Sequence, residues 1–184
     1  MDVDNTAAAE KELIDKAKID KEAFLQIYDT YFKRIYNYAY YRTMDQSEAE
    51  EITSKTFLAA LENIRKYEYR NIPLAVWLYR IASNAVADLY RKKGNTIQLT
   101  DEHMAGQYSL TPEAVCIKKS EKEQLMINLK NLPYMQQQAI VLRYIQDLSH
   151  REISLIMDKT EGAVKQLLFR GLATLRERMV LRND

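Results

Sequence analysis

Lys165, Gln166, Phe169 and Arg170 combine a cation, an amide, an aromatic ring and a guanidinium within one short stretch. A lysine suits a phosphate, an arginine can pair bidentately with a guanine edge, a glutamine can read adenine, and a phenylalanine can touch a thymine methyl. At 100° per residue with Val164 as zero, they fall at about 100°, 200°, 140° and 240°. Leu168, Gly171 and Leu175 fall within about 40° of zero and Leu167 within about 60°, so one helix has an inward apolar face and an outward reading face.

A second set lies in RKYEYRNIPLAVWLYRIASNAVADLYRKK, residues 65–93. Tyr67, Tyr69 and Arg70, on a stretch read as a loop, set rings beside a cation, and such rings can stack an unpaired base at roughly 1–3 kcal/mol per base. With Trp77 as zero, Arg80, Asn84 and Arg91 fall at about 300°, 340° and 320° on a polar face, and Lys92 and Lys93 add charge beside them. Leu78, Ile81, Ala85 and Leu89 centre at about 85°, the expected core face. The bland alternatives are a core-edge tryptophan, tyrosines that roof a bundle, and a helical hairpin with a decorated surface.

No Walker loop, HExxH motif or nucleophile constellation occurs, so the chain reads as a non-enzyme without a cofactor. The single cysteine, Cys116, excludes an internal disulfide framework and a cysteine-based zinc site. His103 and His150 lack partner ligands in the sequence, so no metal is expected.

The elements that must hold these residues are helices. Gly at 4 and Pro at 3 in 184 residues disfavour a turn-rich β fold. Phe24, Ile27, Tyr28, Tyr31, Phe32, Ile35 and Tyr38 recur at the helix period from Lys21. A second helix is expected from about Ser47, with Ser47 as cap and Glu50 three residues on, to Arg65. A third runs from about Pro73, as first helical residue, to Lys93. Residues 94–111 read as a flexible linker. Thr111 and Pro112 open a new helix that ends at Asn131-Leu132-Pro133, and Tyr134 to Ile145 forms the next. Ser149 and Glu152 then match a capping box, and a break at Asp158-Lys159-Thr160 precedes the long helix from about Glu161, the helix-turn-helix pattern. The expected fold is all-α: an extension over 1–20, a helical domain over 21–93, the linker, and a second helical domain over 112–184 containing the helix-turn-helix.

With 27 basic and 26 acidic residues the net charge is +1, which argues against a basic nucleic-acid coat protein. Segments differ. Residues 1–64 carry 8 bases and 13 acids, net −5, whereas 65–93 carry 7 bases and 2 acids, net +5. Screening over about 8–10 Å lets a polyanion feel the local patch rather than the sum. The amino terminus lacks a signal-like apolar region and no run approaches the roughly 18 apolar residues of a membrane span, so a cytoplasmic location without membrane insertion is expected.

Three stretches, residues 24–64 (FLQIYDTYFKRIYNYAYYRTMDQSEAEEITSKTFLAALENI), 77–93 (WLYRIASNAVADLYRKK) and 132–177 (LPYMQQQAIVLRYIQDLSHREISLIMDKTEGAVKQLLFRGLATLRE), resemble successive blocks of extracytoplasmic-function sigma factors, the smallest members of the bacterial primary-type sigma family. The resemblance implies a subunit that binds core RNA polymerase through the beta-prime clamp helices and beta flap, directs it to promoter DNA, and has an anti-sigma factor as partner. Residues 21–93 would be sigma domain 2 and 112–184 sigma domain 4. Asp45, Glu48, Glu50, Glu51, Lys55, Phe57 and Leu61 would dock on the clamp helices. Asn84 would contact a flipped minus-ten base, with the 66–72 loop as its pocket and Tyr67, Tyr69, Arg70, Trp77, Arg80, Arg91, Lys92 and Lys93 around it. Lys165, Gln166, Phe169 and Arg170 would read the minus-thirty-five duplex. Two departures stand out: Leu167 occupies an often basic position, and Asp158-Lys159 replaces the common Gly-apolar pair, although aspartate tolerates the left-handed geometry such a turn needs. Two readings compete with this one, a dimeric stand-alone helix-turn-helix regulator and a helical scaffold without a nucleic-acid role.

Overall fold

The computed structural model describes residues 3–94 and 121–180, which form helices and short connections. The linker reading, the helix start at Thr111-Pro112, His103 and Cys116 lie outside the described residues. The elements are α1 (Val3–Ala17), α2 (Lys21–Thr43), α3 (Gln46–Asn63), a 3-10 turn (Ile64–Lys66), α4 (Leu74–Lys92), α5 (Glu121–Lys130), α6 (Tyr134–Ile140), α7 (His150–Met157) and α8 (Glu161–Val180).

In the first bundle α2, α3 and α4 pack on one another through Phe24, Ile27, Ile35, Ile52, Leu74 and Leu78. The chain before Lys21 joins this bundle, since α1 packs on α2 and buries Ile14 and Ala17. Local ends differ from the sequence expectation. Asp45, not Ser47, caps α3, its carboxylate accepting from Glu48 N at 2.9 Å; both residue types cap well, and chain direction after the left-handed Met44 decides between them. Pro73 is the residue before α4 rather than its first turn, and it supplies no side-chain cap.

In the second bundle α6 passes into a π turn over Val141–Ile145, so the single helix expected over 134–145 widens at its end. Ser149 and Glu152 form the capping box, with Glu152 N donating to Ser149 Oγ at 3.2 Å and Ser149 N donating to Glu152 Oε2 at 2.8 Å. Ser149→Ala should lower stability by about 1 kcal/mol in chemical denaturation. Asp158 takes the left-handed turn at φ 53°, and Thr160 Oγ1 accepts from Ala163 N at 3.2 Å to start α8. Gly171 lets α8 approach α6, because a Cβ there would sit 3.1 Å from Ile140 Cγ1.

The two bundles pack together, α4 against α7 and the π turn against α2. Tyr79 OH donates to Gln146 Oε1 at 2.7 Å and Gln138 Nε2 donates to Ser83 Oγ at 2.7 Å across this joint. Arg42 is 0% exposed there. Among the described residues its guanidinium nitrogens make no hydrogen bond of ordinary geometry, and Cζ lies 4.3 Å from the Tyr134 ring centroid. Among the described residues the neighbouring Tyr38 hydroxyl likewise makes no hydrogen bond of ordinary geometry, and burial pushes its phenol up to about 12.

Candidate nucleic-acid interface

The amphipathic pattern of α8 survives in three dimensions. Val164, Leu167, Leu168, Gly171 and Leu175 are buried, and Lys165, Gln166, Phe169 and Arg170 are exposed. Phe169 is 76% exposed, a ring that water solvates poorly and that adds nothing to the core. α7 and its left-handed turn brace the inward face, so the outward one is displayed on a rigid element.

On α4 the expected core face holds at Leu78, and Ile81, Ala85 and Leu89 pack at the core's edge, but the fully buried stripe is rotated from them. Leu74, Ala75, Leu78, Tyr79, Ala82 and Val86 are buried, whereas Ile81, Ala85 and Leu89 remain partly open. The buried stripe is turned toward Tyr79 and Ser83 because the second bundle covers that side as well. Ile81, Ala85 and Leu89 instead wall a groove of about 480 Å³ between α3 and α4. Asn84, Lys55, Arg91 and Lys92 line the same groove.

A separate hollow of about 460 Å³ is lined by Lys66, Tyr67, Arg70, Trp77 and Arg80, with Leu155 of α7 at its edge. The Tyr67 and Trp77 rings lie 4.5 Å apart at 36°, and burial, then the nearby Glu10 carboxylate, push the Tyr67 phenol up to about 12. Tyr69 is half-buried, and its phenol is raised by the same two causes in the same order. In place of the one expected pocket there are thus two separate hollows, Arg80 lining one and Asn84, one helical turn on, the other. Several cations already have partners: Arg70 pairs with Glu68 at 3.1 Å, Arg91 with Asp88, and Lys93 with Glu48. Exposed pairs of this kind contribute about 0–1 kcal/mol, so a phosphate can displace them.

Of the acidic set on α3, Asp45 caps its helix, Glu51 pairs with Lys55, and Glu50 is exposed. Phe57 is 4% exposed and cannot present itself to a partner; it lies under Tyr28, with ring centroids 4.7 Å apart, and under Phe32 at 6.5 Å. Tyr28, Phe32, Leu58 and Leu61 form the exposed apolar surface beside it. Helical period alone grouped Tyr28 and Phe32 with the core residues of α2; only the count of exposed large apolar side chains on the folded face singles them out.

Comparison with known proteins places both surfaces in context. A model of sigma-70 region 2 matches residues 27–96, and one of sigma-70 region 4 matches residues 128–175. The ECF RNA polymerase sigma factor BldN of Streptomyces coelicolor is 34% identical over 175 residues, covering 94% of this chain and 66% of BldN. The ECF RNA polymerase sigma factor SigW of Bacillus subtilis is 33% identical over 173 residues, covering 88% of this chain and 91% of SigW. In fold the chain is similar to CnrH, solved in complex with the cytosolic domain of CnrY, with a TM-score of 0.72 at 20% identity over 95% of this chain and 99% of that one. Among the described residues no helix is long and apolar enough to cross a membrane.

Proposed function

Because the chain belongs to the extracytoplasmic-function sigma factors of the sigma-70 family, we propose that it binds core RNA polymerase and directs promoter-specific transcription initiation. The observation that carries this reading is the pairing, in one chain, of a hollow lined by Tyr67, Trp77, Arg70 and Arg80 with a helix that displays Lys165, Gln166, Phe169 and Arg170. The first suits an unpaired base and the second a duplex groove. Residues 21–93 act as domain 2, extended by α1, residues 112–184 as domain 4, and 94–111 as the linker between them.

Asn84 and the Tyr67–Trp77 hollow capture a flipped minus-ten base. Extruding that base costs a few kcal/mol, which stacking and edge hydrogen bonds offset, so melting is driven by binding and the chain acts without catalysis. The clamp helices of polymerase meet Asp45, Glu48, Glu50, Glu51, Lys55 and Leu61, with Tyr28, Phe32 and Leu58 widening the apolar part above Phe57. An anti-sigma factor restrains the free protein, and the site of action is the cytoplasm.

Minus-ten and minus-thirty-five elements lie about 25 base pairs apart, roughly 85 Å along B-DNA. A compact body of this length has a radius of gyration of only about 16 Å. The joint between the bundles therefore comes apart on the promoter.

Transcription from a promoter library, reconstituted with core polymerase and the full chain, tests the reading; a protein that neither associates with core nor selects any promoter is not a sigma factor. In that assay Arg170→Ala should cost about 1–3 kcal/mol of upstream recognition and relax the base preference at one position. Its stability should stay within about 0.5 kcal/mol of wild type, because the side chain is exposed.

A further inference from the structure

The matched region 2 segment begins at residue 27, so that match assigns no role to α1. One side chain of α1 nevertheless reaches the hollow's foundations. Glu10 Oε1 accepts from the Leu74 backbone amide at 3.1 Å and from Tyr31 OH at 2.8 Å. Leu74 is the first residue of α4, and the preceding Pro73 offers no side-chain cap. The free amides of a helix start need an acceptor, and a carboxylate there also meets the positive end of the helix dipole. α4 thus obtains its cap from a residue 64 positions away in sequence. Tyr67 and Tyr69, on the loop that leads into α4, sit within the field of the same carboxylate.

We propose that Glu10 is a positioning residue for minus-ten recognition: its carboxylate ties α1 to Tyr31 and to the start of α4, and so holds the Tyr67–Trp77 hollow in register with Arg80. The inference rests on the minus-ten reading above. It gives the acidic amino-terminal helix a task in DNA opening without any contact to DNA. The first turn of α4 lies between the loop that carries Tyr67 and the turns that carry Trp77 and Arg80. An uncapped start frays, and fraying there moves the two walls of the hollow independently.

The test uses the full chain in holoenzyme, on a promoter selected by wild type from a library and on the same promoter with a pre-opened minus-ten bubble. Glu10→Ala should slow opening of the duplex about fivefold or more, the scale of one lost cap. On the bubble template, where unpairing is already done, the deficit should shrink to about twofold. Glu10→Gln keeps an oxygen acceptor and should restore opening to within about twofold of wild type. Trp77 is the only tryptophan, so its emission reports the hollow directly and should change in Glu10→Ala but not in Glu10→Gln. Equal losses on both templates, tracking a lowered thermal midpoint, would make Glu10 merely structural and overturn the proposal. Unchanged Trp77 emission and wild-type opening in Glu10→Ala would also overturn it. If wild type selects no promoter from the library the minus-ten reading itself fails, whereas the emission comparison, read on the free chain, still judges the Glu10 cap.

Discussion

Alanine in place of Asn84 should slow promoter opening about tenfold or more while leaving association with core polymerase within about twofold. Asn84 is exposed on α4 in the groove it shares with Lys55, Arg91 and Lys92, and among the described residues its amide makes no hydrogen bond. An asparagine with both donor and acceptor unspent suits the edge of an extruded base. Removing it leaves the base's polar edge desolvated without a partner, at about 1–3 kcal/mol, and 1.4 kcal/mol is a factor of ten. The fold does not depend on this side chain, so the thermal midpoint should not move. Permanganate reactivity of unpaired thymines measures opening, and gel shift of core polymerase measures association. Opening at the wild-type rate would remove Asn84 from the reading site and leave the Tyr67–Trp77 hollow to carry it alone.

Two substitutions at Arg42 should move stability in opposite directions. Arg42→Met should raise it by about 1–4 kcal/mol, as replacement of buried ionic groups by well-packed apolar ones often does. Arg42→Ala should lower it by about 2 kcal/mol or more, because it leaves a cavity under Tyr134 and Tyr38. The guanidinium is desolvated at the joint and faces the Tyr134 and Tyr38 rings, and a desolvated cation–π contact offsets roughly 2 kcal/mol of a larger penalty. If the bundles separate when the chain assembles with core polymerase, Arg42 regains water and its burial penalty is relieved in the open form only. Arg42→Met removes that bias, and its apparent affinity for core polymerase should fall about fivefold or more, since a less populated open form binds more weakly in proportion. Denaturation curves and a core-binding titration check the two halves separately. Equal polymerase affinity in wild type and Arg42→Met would mean that opening of the joint is not linked to assembly.

The joint also explains where sequence reading lost its way. For α8, the period placed Val164, Leu167, Leu168, Gly171 and Leu175 inward and Lys165, Gln166, Phe169 and Arg170 outward, and the structure agrees at each. That helix packs on one side only, so a single apolar stripe determines its rotation. α4 is covered from two sides, and its polar Ser83 and Tyr79 are buried because Gln138 and Gln146 satisfy them from 55 and 67 residues away. A hydrophobic stripe carries no record of such partners. Phe57 shows the same limit in reverse: the family resemblance places it among the docking residues, yet Tyr28 and Phe32 cover it. The Asp45 cap in place of Ser47 is a smaller miss, since adjacent capping residues compete and the incoming chain direction selects one.

By itself, the sequence determined the helical class, the helix-turn-helix with its capping box and left-handed aspartate, the exposed face of α8, and the separation of an acidic amino-terminal segment from a basic one. These depend on contacts within about four residues, where period, caps and charge act directly. Only the tertiary structure decided that Glu10 caps α4, that Asn84 and the Tyr67–Trp77 pair line two separate hollows, and that Arg42 is buried against Tyr134 between the bundles. Each of those depends on groups far apart in the chain, brought together by burial of apolar surface that is indifferent to which polar atoms it encloses.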